Sequence, residues 1–298
     1  SLAAAYVLQK KDWMVTCYRE NAGLFWRGLP MEKILLHWMG DERGNYIDTC
    51  NVTPLAIAIG SQLLHATGLA WSSKYKKDGA IACTFFGDGA TSEGDFHEAA
   101  NFAANLDLPV VFVCQNNGWA ISTPTKLECS APTVAQRGVA YGMDCVQVDG
   151  NDLFAMVKVV RDAVKHAREN NRPTFIEALT YRLGDHTTAD DARRYRDADE
   201  LAMWEKRDPM IRLRKYLEEN DLWSSSQEEE QLAKASKIVS AVVKNAEEIE
   251  APTSNDFFDC MFTDLSPQLQ LQRNTMRTSS IGQDPSQISI PTKEGVVH

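Results

Sequence analysis

The sequence predicts an α/β fold in three layers, a mostly parallel sheet with helices on both faces. Four short runs, at 80–86, 109–114, 145–148 and 174–181, are almost continuously apolar, as strands covered on both faces should be. Stretches with helical spacing separate them. Three of the runs stop at turn-forming residues: Gly87, Asn116-Asn117-Gly118 and Asp149-Gly150.

Taken in order, 2–8 reads as a helix already in progress and 38–50, with its D-E-R-G-N, as a loop. Residues 54–73 read as a long helix of small residues, with Gly60 and Gly68 as close-packing points. After the first apolar run, a helix starts near Asp95 and repeats apolar residues at Phe96, Ala99, Ala100 and Ala103. After the third, Asn151 or Asp152 can cap a helix whose core face runs through Leu153, Val157, Val160 and Val164. Residues 198–250 are charged and periodic and read as several helices, with 227–230 as a solvated face. From Pro267 the chain is polar and rich in Gln, Ser and Thr. The expected organisation is one domain over 1–265, helical from about 198, and a polar tail over 266–298 that is flexible unless a partner orders it.

With 31 basic and 41 acidic residues the formal net charge is 31 − 41 = −10. An acidic balance disfavours nucleic acid as a partner, because phosphate neutralisation calls for a basic face. Hydrophobic residues make up 44%, yet no apolar stretch is long enough for a transmembrane helix. The seven cysteines form no C-x-x-C pair, and several sit within apolar runs, so reduced, buried thiols are expected. No basic segment leads into an apolar one, so no secretory leader is expected. Ser1 stands in place of an initiator Met, and the chain reads as a trimmed fragment.

The chemistry concentrates at Gly87-Asp88-Gly89, directly after one strand, and Asn116-Asn117, directly after the next. In a parallel sheet both lie at the carboxyl edge, where open α/β sheets bind ligands. Asp88 offers a carboxylate and Asn117 an amide oxygen, a donor set that leaves most of a magnesium shell to phosphate oxygens and water. The flanking glycines permit close approach of a diphosphate. Either turn alone could be an ordinary tight turn. A dinucleotide fingerprint fails because Ser92 occupies its last glycine position, and no phosphate-loop, nucleophile-elbow or H-E-x-x-H motif is present.

The stretch GDGATSEGDFHEAANFAANLDLPVVFVCQNNGWAIS resembles the thiamine-diphosphate motif, which opens on G-D-G and closes on N-N. More closely, it resembles the alpha subunit of the heterotetrameric 2-oxo acid dehydrogenase decarboxylating component. That resemblance runs from about residue 13 to about 223. It includes Y-R-E from Tyr18, T-P-L from Thr53, V-D-G-N-D from Val148 and Y-R-L-G-D-H-T-T-A-D-D from Tyr181. It implies a three-layer thiamine-diphosphate-binding fold, with thiamine diphosphate and magnesium as cofactors. It implies Asp88, Asn117 and the backbone carbonyl of Trp119 as metal ligands, and Gly87, Gly89 and Ala90 along the diphosphate turn. Tyr18 and Arg19 match residues that contact the diphosphate, and Thr53 and Leu55 residues that contact the pyrimidine and keep the cofactor bent. Arg182 and His186 match the phosphate-side and catalytic residues of a mobile loop. Glu93 matches an acidic residue between two active sites.

The resemblance further implies a beta subunit in an α2β2 heterotetramer, a lipoyl acyltransferase component, and a 2-oxo acid substrate. Pyruvate is preferred, with branched-chain 2-oxo acids or acetoin as alternatives. A non-catalytic assembly subunit is the alternative of another class. A cytoplasmic location is implied for a bacterial chain and the mitochondrial matrix for a eukaryotic one. Two departures stand out. Gln115 replaces an Arg found in some relatives, and Thr187 and Asp197 occupy positions where mitochondrial relatives carry regulatory Ser.

Overall fold

The computed structural model describes residues 1–259 and 261–278, so Cys260 and residues 279–298 lie outside the described residues. Helix α1 (Leu2–Val7), strand β1 (Trp13–Val15), α2 (Asn21–Arg27) and α3 (Met31–Trp38) open the chain. Next come α4 (Ser61–Lys76), β2 (Ala82–Gly87), α5 (Gly94–Asn105) and β3 (Val110–Asn116). A ribbon of β4 (Trp119–Ala120) against β5 (Thr123–Pro124) precedes the short helices α6 (Thr125–Glu128) and α7 (Gln136–Val139). Then follow β6 (Asp144–Asp149), α8 (Leu153–Asn170) and β7 (Thr174–Leu179). The remainder is helical: α9 (Ala198–Glu205), α10 (Pro209–Glu219), α11 (Ser225–Glu247), α12 (Ser254–Asp259) and α13 (Pro267–Thr278).

The sheet order is β1-β2-β3-β7-β6, and every pair in it is parallel. Side chains alternate between two apolar cores, as the two-residue period of a strand requires. Met14, Cys83, Phe85, Val111, Val113 and Ile176 meet α1, α2 and α8 on one face. Val15, Phe86, Val110, Phe112, Cys114 and Phe175 meet α4 and α5 on the other. The three-layer α/β architecture expected from the sequence is therefore present. All four expected strands occur, shifted at their ends by one or two residues. Asp152 caps α8, accepting from the Ala155 amide at 3.0 Å. The buried face of α8 includes Val160 and Val164 as expected, with Met156, Ala163 and Ala167 beside them.

Several elements differ from the sequence expectation. The helix expected over 54–73 begins only at Ser61, because Gly60 has φ +89°, which a right-handed helix cannot use. A Cβ on Gly60 would sit 3.2 Å from the Asp95 Cβ, so this glycine does mark a close approach. Gly68 has open space around it and marks none. Strand β1 and helices α2 and α3 were not anticipated, and the loop over 38–50 contains a 3-10 turn at Glu42–Asn45.

The chain divides into two compact units, Ser1–Val243, which holds the sheet, and a second beginning at Lys244. In the second, α12 packs with α13, and Arg273 pairs with Asp259 at 3.4 Å. Helix α13 occupies part of the stretch expected to be a tail. Among the described residues no helix is long and apolar enough to cross a membrane.

Candidate active site

The parallel register places Gly87 beside Gln115, so the G-D-G and N-N turns emerge side by side at the carboxyl edge. Gly87 is extended, and the chain then tightens into a 3-10 turn over Asp88–Ser92. Asp88 is only 2% exposed. Its Oδ2 accepts from the Thr125 hydroxyl, while its buried Oδ1 has no partner. Burial pushes the Asp88 carboxyl above its usual range. The Thr125 hydroxyl, the backbone amides of Asp88 and Asn117, and the Arg182 charge oppose that shift.

The N-N turn is built from side chain to backbone. Asn116 Oδ1 accepts from the Gly118 amide at 3.1 Å and from the Thr125 hydroxyl at 3.2 Å. Asn117 Oδ1 accepts from the Trp119 amide at 3.1 Å. Gly118 has φ +85°, a left-handed conformation that favours glycine. The turn launches the β4–β5 ribbon, which lies against the other turn: a Cβ on Gly89 would come within 2.6 Å of the Ala120 Cβ. Glu177 on β7 sits beneath, accepting from Asn116 Nδ2 at 2.8 Å, the Ala135 amide at 2.9 Å and Gln147 Nε2 at 3.1 Å.

Arg182 is buried. Its Nη2 donates to the Ile121 carbonyl at 2.7 Å and the Tyr195 hydroxyl at 2.6 Å, and its Nη1 is buried without a partner. Its amide donates to the Asn117 carbonyl at 3.3 Å. His186 is held from two sides. Arg19 Nη2 donates to the His186 carbonyl at 3.2 Å and contacts Nδ1 at 3.3 Å, and the His186 amide donates to Asp190 Oδ2 at 2.8 Å. A guanidinium has only donors, so Nδ1 is the acceptor and the ring proton sits on Nε2. Burial first, then the Arg19 and Arg182 charges, push the His186 pKa down against the pull of Asp190. The Arg19 guanidinium also lies 4.7 Å from the centre of the Tyr18 ring.

Asp88, Asn117, Trp119 and Arg182 are thus brought together, and Arg19 joins Tyr18 to His186. Ala90 is buried in the turn after Asp88. Thr53 and Leu55 instead line a small cavity of about 10 Å³ with Leu24, Leu29 and Ile34. Glu93 is exposed at the start of α5. A surface cavity of about 430 Å³ is lined by the 183–196 loop, including Asp185, Asp190 and Arg196.

Sequence reasoning missed several residues. Thr125 bridges the two turns, but T-P-T-K carries no signal of that role. Glu20 clamps the Y-R-E turn, accepting from the Cys17 amide at 3.0 Å and the Arg19 amide at 3.2 Å. It also accepts from Gln115 Nε2 at 2.6 Å. Gln115, where a relative's Arg was noted, is therefore engaged with Glu20. Asp197 caps α9, accepting from the amides of Asp199 and Glu200 at 2.8 and 3.1 Å.

Among the described residues no three His, Cys, Asp or Glu side chains gather as a metal cage. The donors at the G-D-G and N-N turns fit a different arrangement. Asp88 supplies one anionic oxygen and the neighbouring chain neutral oxygens, which suits a hard cation that keeps phosphate and water ligands. The unpartnered Asp88 Oδ1 and Arg182 Nη1 are the groups that such an ion and a phosphate would satisfy.

A family model described as "Dehydrogenase E1 component" matches residues 1–255. The chain is 41% identical over 279 residues to the 3-methyl-2-oxobutanoate dehydrogenase subunit alpha of Mycobacterium tuberculosis, covering 93% of this chain and 76% of that one. It is 40% identical over 273 residues to the pyruvate dehydrogenase E1 component subunit alpha of Staphylococcus aureus, covering 91% and 74%. The turn that carries Asp88, the ribbon after Asn117 and the loop that carries His186 all fall within the matched span, and the chain belongs to the dehydrogenase E1 component family.

Proposed function

We propose that this chain is the alpha subunit of a 2-oxo acid dehydrogenase decarboxylating component that holds the diphosphate of thiamine diphosphate through magnesium. One observation carries this reading: Asp88 Oδ1 and Arg182 Nη1 are oppositely charged, buried and unpartnered, and the Arg182 charge acts on Asp88. Groups buried this way cost stability unless a ligand completes them. A cation at the first and a phosphate oxygen at the second complete both.

In this reading Asp88, Asn117 Oδ1 and the Trp119 carbonyl hold the ion, and Gly87, Gly89 and Ala90 leave the turn open to the diphosphate. Tyr18, Arg19 and Arg182 steady its oxygens. Thr53 and Leu55, which in this chain alone line the small cavity beside Leu24, are assigned to the pyrimidine end on the family resemblance. When bound, thiamine diphosphate supplies the electron sink for loss of carbon dioxide from a 2-oxo acid. His186, neutral near pH 7 with its proton on Nε2, donates or recovers a proton at the reacting centre. Glu93, exposed on this chain, is assigned to the passage between active sites in the assembled enzyme.

A beta subunit completes the site in an α2β2 heterotetramer, and the acyl group passes to a lipoyl group on the acyltransferase component. Pyruvate is the preferred substrate, with branched-chain 2-oxo acids and acetoin as alternatives, and the relatives' names span the first two. The bacterial relatives support a cytoplasmic setting. Intact Asp88, Asn117, Arg19 and His186 speak against a non-catalytic assembly subunit. The test is reconstitution with the beta subunit, thiamine diphosphate and magnesium, followed by dye reduction with pyruvate, 2-oxoisovalerate and acetoin. Reduction should be fastest with pyruvate. No reduction with any of the three would overturn the reading.

A further inference from the structure

We propose that Glu128 is a second carboxylate of the cofactor cleft, and that its charge makes binding of the diphosphate depend on a divalent cation. The proposal rests on the reading of this cleft as a magnesium–thiamine diphosphate site. Glu128 ends α6, the four-residue helix that begins at the Thr125 that bonds Asp88. Both of its carboxylate oxygens lie 3.6 Å from the position of a Cβ on Gly89, so the group hangs over the glycine turn. Its Oε2 is buried and has no hydrogen-bond partner.

The charge of nearby Arg137 relieves it only in part, and its guanidinium makes no hydrogen bond to the carboxylate. Arg137 places Nη2 on the Glu128 backbone carbonyl at 2.6 Å and Nη1 on the Thr91 and Ser92 hydroxyls at 2.6 and 3.1 Å. Burial, and then the Asp88 charge, push the Glu128 carboxyl up to about 7. Asp88, 2% exposed, brings a second unpartnered oxygen to the same turn. Two carboxylates there repel a diphosphate when no cation intervenes. They favour it once a divalent cation sits between anion and anions, because each carboxylate then faces positive charge. Glu128 therefore raises the coupling between the two ligands. Coupling is reciprocal, so the cation binds more tightly when the diphosphate is present, by the same factor.

The test is calorimetry on the complex reconstituted with its beta subunit. Thiamine diphosphate is titrated with and without magnesium, at about pH 8, above the raised pKa of about 7. In Glu128→Gln, affinity without magnesium should rise, and the enhancement by magnesium should fall by roughly tenfold. Glu128→Asp, which keeps the charge, should retain most of the enhancement. An enhancement in Glu128→Gln equal to that of the unaltered complex would overturn the proposal while leaving the cofactor reading standing. An unaltered complex that binds no thiamine diphosphate even with magnesium would overturn both.

Discussion

His186 and Asp88 are perturbed by the same burial in opposite senses of charge, and each is thereby kept closer to neutral. For His186 the sign has a consequence for stability. Its folded pKa lies below the ordinary 6.5, so between those two values the unfolded chain binds more protons. Stability from this group is full above pH 6.5 and is lost as pH falls through the folded pKa. A proton NMR titration of His186 should therefore give a midpoint below 6.5. Arg19→Gln should move it only part of the way up, since burial outranks the Arg19 charge. A midpoint above 6.5 would show that Asp190 dominates. Asp88 and Asn117 were legible in the sequence because strand ends followed by Gly or Asn announce edge turns. The Arg19–His186 contact joins residues 167 positions apart and was not legible from spacing; only the family resemblance marked both residues. Thr125 and Glu128 carried no signal at all, since what matters about them is the turn that they cover.

At the level of elements, the N-N turn is only as fixed as β7 makes it. Glu177 is 1% exposed and gathers three donors from β3, the residue before α7, and β6. Removing it leaves the Asn116 and Ala135 donors buried and unpaired, which costs about 2–4 kcal/mol in total, while the exposed Gln147 can turn to water. Glu177→Ala should lower the urea midpoint accordingly with little change in slope. Glu177→Gln keeps the shape, and its amide oxygen still accepts, so it should lose less. A loss below about 0.5 kcal/mol for the alanine variant would mean that water replaces the carboxylate. The strands of this sheet were readable because both faces are covered and their letters run apolar. Strand β1 was not, since three residues between Asp12 and Thr16 offer too short a run. The segment A-I-A-I before Gly60 has helical composition, but the glycine's positive φ stops a helix from forming across it.

For the molecule as a whole, the covered faces of the helices and strands make the core, and one group of uncovered rings lies on α4 and α5. Trp71 on α4 is 50% exposed and Phe102 on α5 46%, with their rings edge to face at 5.5 Å. Tyr75, one turn beyond Trp71, is 84% exposed. These helices pack on the sheet through Ala66, Ala70, Ala99 and Ala103, so among the described residues their outer aromatic rings join no core. Large aromatic side chains left on a surface are the residue type that dominates binding energy when a partner covers them. If the beta subunit or a second copy of this chain docks there, Trp71→Ser with Phe102→Ser should weaken assembly by at least tenfold, equivalent to about 1.4 kcal/mol. Analytical ultracentrifugation of the reconstituted complex measures this directly, and circular dichroism of the variant verifies that its fold is retained. The lost assembly should carry the dye-reduction activity down with it, while raised subunit concentration should restore both. A variant that assembles at unaltered affinity would assign the aromatic pair to solvent and move the interface elsewhere on the chain.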